Sequence, residues 1–116
     1  MKFKLIIAMV ADEKTESVIE KARKMGATGA TVITSARGEG MKPAKTFFGL
    51  TLEGQVDVLL FIVEEHLSRA ILEGIAEEGE FGVKKGTGVV FQLDIEDVLG
   101  LDSQLNAIKE EIEEQL

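Results

Sequence analysis

Apolar residues run along the chain in two rhythms. From Lys2 to Val10 they come almost without a break (Phe3, Leu5, Ile6, Ile7, Met9, Val10), which predicts a strand mostly covered on both faces. The next segment changes period. Over Lys14–Met25, Val18, Ile19, Ala22 and Met25 recur at helical spacing, with Asp12 available as a cap and Gly26 at the C′ position. Thr31–Thr34 is β-branched throughout and reads as a second strand, and Val56–Val63 as a third. Glu64–Glu78 returns to the helical period through Leu67, Ala70, Ile71, Gly74 and Ile75, and Gly79 marks its end. Gly88–Ile95 is the fourth strand.

The predicted order is β-α-β-β-α-β. Right-handed crossovers then give an α+β, ferredoxin-like fold: a four-stranded antiparallel sheet with both helices on one face. The other face of the sheet has no cover within one chain, and a sheet face rich in Ile, Val and Leu calls for a partner surface, most economically a second copy. The connection between the second and third strands is about 20 residues long, a length associated with function or disorder in compact domains. A last amphipathic helix follows, with Asp102 or Ser103 as its cap and Leu101, Leu105, Ile108 and Ile112 as a narrow apolar stripe. It packs on its own domain or serves as a contact for another chain. The organisation expected is a domain over residues 1–100, containing a long loop at 37–54, and a C-terminal helix over 101–116.

Composition narrows the chemistry. The 116 residues suit one domain and carry a formal charge of −8. That balance opposes general nucleic-acid binding. Cysteine is absent, which rules out disulfides and thiolate metal sites and fits a cytoplasmic protein. The first apolar run is too short to span a bilayer, so direct membrane insertion is not expected. With no cysteine, a single histidine (His66) and no serine in an elbow motif, nothing points to an enzymatic nucleophile. An ATPase would want metal ligands near residues 86–88, where the nearest acids in sequence are Glu80 and Asp94. No metal site is expected.

Two loops run against the acidic background. Residues 35–46 hold Arg37, Lys42 and Lys45 against Glu39, for +2, with Gly38 and Gly40 between them. Residues 81–90 hold Lys84 and Lys85 and no acid, again +2, followed by Gly86, Thr87 and Gly88. Glycine lets backbone N–H groups approach an anion closely, lysine adds point charge, and Arg37 can pair a phosphate bidentately. These loops read either as a small-anion site or as solvated turns.

Residues 1–100 as a whole resemble the P-II nitrogen regulatory proteins and their P-II-like relatives. The stretch Gly26-Ala27-Thr28-Gly29-Ala30-Thr31-Val32 is similar to the family's passage from first helix to second strand. Arg37-Gly38-Glu39-Gly40 falls where its long T-loop begins. Gly86-Thr87-Gly88 and the strand Val90–Asp94 fall at its B-loop and last strand. The resemblance implies a homotrimer with the sheets lining its centre, and an adenine nucleotide (ATP, ADP, AMP or cyclic AMP) between subunits as effector, with no obligatory cofactor. It implies a non-enzymatic regulator whose loop is read by a membrane transporter or a metabolic enzyme. On these positions the expected nucleotide-binding residues are Thr31, Arg37, Gly38, Gly40, Lys84, Lys85, Gly86, Thr87 and Gly88. Met41, Lys42, Lys45 and Phe47 belong to the partner or effector loop, Phe47 and its neighbour Phe48 also suiting a small satellite core.

The chain departs from the family pattern in ways that bear on ligand choice. It contains no tyrosine to be modified in the loop. Thr87 stands for the usual B-loop acid, and Val89 for the lysine after the second glycine. Leu99-Gly100-Leu101 stands where phosphate-gripping arginines usually follow the last strand. Each lost charge-assisted contact weakens triphosphate binding by roughly 1.5–3 kcal/mol. The alternative with the same architecture is a CutA-like trimer that binds a metal or small molecule.

Overall fold

Strands and helices follow in the expected order: β1 (Phe3–Ala11), α1 (Thr15–Lys24), β2 (Thr31–Ala36), β3 (Val56–Glu64), α2 (Glu65–Glu78) and β4 (Gly88–Asp94). The structure, a computed structural model, describes residues 1–36, 55–84, 87–101, 109–110 and 113–114. The four strands form one antiparallel sheet in the order β2-β3-β1-β4, the ferredoxin-like arrangement. The C-terminal helix expected over 101–116 lies largely outside the described residues.

The register sorts the side chains. Ile6 pairs with Phe61, Ala8 with Leu59 and Val10 with Asp57 across β1 and β3. These positions point at the helices. Ile6, Ala8, Val10, Leu59, Phe61 and Val63 form one core with Val18 and Ala22 of α1 and Leu67, Ile71 and Ile75 of α2. The alternate set, Leu5, Ile7 and Met9 of β1 with Val58, Leu60 and Ile62 of β3, lies on the opposite face, joined by Ile33 of β2 and Val89, Phe91 and Leu93 of β4. Neither helix packs there. Ile62, Leu93 and Ile33 are 39%, 48% and 49% exposed. In a sheet the side-chain period is two, so strands that are apolar at every position must offer an apolar surface on both sides.

Three local details differ from expectation. Asp12 does not cap α1. Asp12–Lys14 form a 3-10 turn without a side-chain cap, and α1 starts at Thr15. The Thr15 hydroxyl turns inward and donates to Asp57 Oδ2 at 2.5 Å, supplying the partner that this buried acid in β3 requires. Ala70 is exposed, and Ser68 holds the buried position beside Leu67, its hydroxyl donating to the Glu65 carbonyl.

The third difference concerns the end of α2. Both helices close with the same pair of bonds. In α1, Gly26 N donates to Arg23 O and Ala27 N to Ala22 O; in α2, Glu80 N donates to Glu77 O and Phe81 N to Ala76 O. This is the Schellman motif, whose C′ residue is left-handed. Gly26 fills that place in α1, at φ 118°, but in α2 it falls to Glu80, at φ 59°, one residue beyond the expected Gly79. Gly79 keeps ordinary helical backbone, φ −78°. Its lack of a side chain serves space instead: a Cβ there would overlap the Phe81 ring.

Candidate functional site

The strand ends place the two glycine-rich loops. β2 finishes at Ala36, paired with Val56; Val56 pairs with Ala11, and Val10 with Gly88. The loop at 37–54 therefore leaves, and the loop before Gly88 arrives, at one and the same end of the sheet. They do so at opposite edges, because β3 and β1 lie between. Three strand spacings separate those edges, about 14 Å.

The second loop is built round Phe81. Its ring is half-buried against the core, and two glycines make room for it. A Cβ on Gly88 would overlap the ring and lie 2.5 Å from the Met9 carbonyl oxygen, and the backbone there has φ +155°. Gly88, expected to approach a phosphate, thus has a packing reason to be glycine. Thr87 Oγ1 lies 3.1 Å from the Glu80 carbonyl and 3.0 Å from that of Lys84, so its hydroxyl donates within the loop. Lys84 reaches back to Glu80 Oε2 at 2.9 Å, and Lys14, next to the start of α1, lies 3.6 Å from Oε1 of the same carboxylate. The Lys84 hydrogen bond, followed by the charges of Lys14 and Lys84, holds the Glu80 carboxyl below its ordinary range, and Glu80 in turn raises Lys84.

Thr31, the remaining described candidate, opens β2 opposite Leu60, exposed on the helix-free side of the sheet. It does not share an edge with Thr87 and Gly88. Arg37, Gly38, Gly40, Met41, Lys42, Lys45, Phe47, Lys85 and Gly86 lie outside the described residues.

The far end of the sheet carries different chemistry. Asp94, one of the two acids nearest the loop in sequence, closes β4 there and pairs with Lys4 at 2.7 Å, which lowers its pKa. Glu64 caps α2: Oε2 accepts from the backbone N–H of His66 at 2.7 Å, and Oε1 lies 2.5 Å from His66 Nδ1. Glu64, Glu65 and His66 offer ligand atoms within 4.8 Å of one another, but both oxygens of Glu64 are spent on the cap and the imidazole. Sequence reasoning misses Asp57, and it names Glu80 only as an acid near the loop, without the role that the structure gives it. Asp57 is legible as an acid in an apolar strand, at a position of core-facing parity. Glu80 gives no such signal, since its importance comes from a backbone conformation.

The sequence profile described as "Nitrogen regulatory protein P-II" matches residues 3–104, from the start of β1 to beyond the end of β4. The chain belongs to the P-II family. Solved P-II structures superpose on it. CPII from Thiomonas intermedia K12, bound to ADP, AMP and acetate, gives a TM-score of 0.64 at 22% identity, covering 86% of this chain and 91% of that one. PII of Arabidopsis thaliana bound to citrate gives 0.65 at 24%, covering 86% and 83%. A PII-like signaling protein from Thermus thermophilus gives 0.56 at 25%, covering 82% and 90%. No curated protein matches the chain. Among the described residues of this P-II protein, no helix is long and apolar enough to cross a membrane.

Proposed function

We propose that this P-II protein is a non-enzymatic cytoplasmic regulator. Three copies associate through their open sheet faces, and each cleft between neighbours takes an adenine nucleotide. The loop at 37–54 carries the signal to a transporter or metabolic enzyme. One observation carries the reading: the two cationic loops belong to the same end of the sheet but to opposite edges. A loop from one edge meets its counterpart from the other most directly when a second copy lies alongside. The helix-free apolar face supplies the reason for copies to associate. Within that cleft, Arg37, Gly38 and Gly40 from one chain and Lys84, Lys85, Gly86, Thr87 and Gly88 from the next form the phosphate cradle, and Thr31 lies toward the base. Met41, Lys42, Lys45 and Phe47 face the partner. The bound ADP and AMP of the Thiomonas relative agree in kind.

Light scattering on the eluted protein and a thermal-shift panel with AMP, ADP, ATP and cyclic AMP test this together. The expected result is a trimer whose Tm rises by several degrees with at least one nucleotide; ligand at a hundred times Kd stabilises by about 2.7 kcal/mol. A monomer, or a Tm indifferent to all four nucleotides at millimolar concentration, overturns it.

A further inference from the structure

Glu80 occupies a place that suits it poorly on two counts. The left-handed C′ position of a Schellman motif favours glycine, and α1 has glycine there. An acid at a helix C-terminus also faces the negative end of the helix dipole. What Glu80 gains is contact with the loop. Its carbonyl accepts from Lys84 N at 3.0 Å, Val83 N at 3.1 Å and Thr87 Oγ1 at 3.1 Å. Its carboxylate stands between two ammonium groups from separate parts of the chain, Lys84 in the loop and Lys14 beside α1. A carboxylate held between two lysines beside a glycine-rich turn occupies the position an incoming anion would take.

We propose that Glu80 is the specificity-determining residue of this loop, an internal anion that competes with the ligand for Lys14 and Lys84. With Glu80 ionised, the three groups carry a net charge of +1 instead of +2. Every negative charge on a ligand loses some attraction, and the loss grows with ligand charge. The site thereby prefers a triphosphate over a mono- or diphosphate less than its two lysines alone would. Glu13 adds to the effect by placing further negative charge near Lys84. This inference rests on the nucleotide reading above and gives it a direction.

Calorimetric titration of AMP, ADP and ATP into the full chain, its Glu80→Gln variant and its Glu80→Gly variant tests the role. Both variants remove the charge, but only glycine relaxes the backbone. ATP affinity is expected to rise about fivefold in both and AMP affinity about twofold, the gain shrinking at high salt. Adding Lys14→Gln to Glu80→Gln should abolish most of the gain. Circular dichroism confirms that each variant is folded. An ATP-to-AMP affinity ratio unchanged in Glu80→Gln, or altered in Glu80→Gly alone, overturns the role of Glu80 while leaving nucleotide binding in place. Absence of binding by every folded form instead brings down the nucleotide reading, and this inference with it.

Discussion

The two faces of the sheet are made of the same kinds of residue and have opposite fates. Toward the helices, Ile6, Ala8, Val10 and Leu59 are 0% exposed and Phe61 1%. Toward the other side, Leu5, Ile7, Met9, Val58 and Leu60 shield one another only in part, and Ile62, next to Phe61 in the chain, is 39% exposed. Hydrophobicity alone does not decide which face is buried; the two strand–helix–strand connections do, by delivering both helices to one side. The covered face completes the fold of one chain. The open face is left uncovered by both helices, and Ile62 and Leu93 stay part-exposed on it.

Substitutions at neighbouring positions would show the contrast at its largest. Phe61→Ala removes the largest fully buried side chain among the described residues and should cost about 3–5 kcal/mol of unfolding free energy, whereas Ile62→Ala should cost under about 1 kcal/mol in a dissociated chain. Urea denaturation at concentrations low enough to give single chains measures both. Equal costs would mean that the two faces are equally packed. Next in size is Gly88→Ala, on the covered side opposite Val10. The added methyl meets the Phe81 ring and the Met9 carbonyl oxygen, on backbone that disfavours any side chain. A loss of about 2–4 kcal/mol is expected, and a melting curve like the parent's would show that the turn can rearrange.

The open face is sharpened by Ile62→Glu. Because the site is already part-exposed, a carboxylate there finds water in an isolated chain, and the fold should survive with helical circular dichroism unchanged. Association should not survive, since three copies would bury like charges together. Light scattering should then report a monomer. A trimer that persists would place the contact between copies elsewhere.

The order of elements, the sheet type and most of the core were legible in the sequence because they follow from period. A run such as Val56–Val63, apolar but for Asp57, reads as a strand with apolar residues on both faces. What period does not carry is which of the two faces the helices cover. It also does not carry side-chain partnerships between distant segments. Thr15 and Asp57 form their bond across 42 residues, and Asp12 is the more obvious cap by spacing alone. Helix α2 ends where expected, before Gly79, but its left-handed residue falls one place later, for a similar reason. Two roles usually combined in one glycine, left-handed backbone and free space, are divided there between Glu80 and Gly79. Of the candidate site, the cation-and-glycine composition was visible. That Lys84 and Thr87 are engaged by Glu80 was not, because that depends on how the chain turns after the helix.

The smallest effect concerns the one charged residue in the described open-face rows. Glu64 falls in the row of Val58, Leu60 and Ile62, opposite Phe3, yet its side chain is 2% exposed. It avoids standing as a bare charge among apolar neighbours by turning to cap α2 and pair with His66. The hydrogen bond from Glu64, with its charge, raises the His66 pKa above the ordinary 6.5. A folded-state pKa above the unfolded one means that folding favours the protonated imidazole. The pair's contribution to stability is therefore fully present below pH about 6.5 and is lost as pH rises through the folded-state value. A proton NMR titration of His66 should give a midpoint above 6.5, and Glu64→Gln should bring it down, with a small loss of stability that is larger at acidic than at alkaline pH. A midpoint that stays put in Glu64→Gln would show that the imidazole is held by something other than this carboxylate, and the charge on the open face would then lack its internal counter-ion.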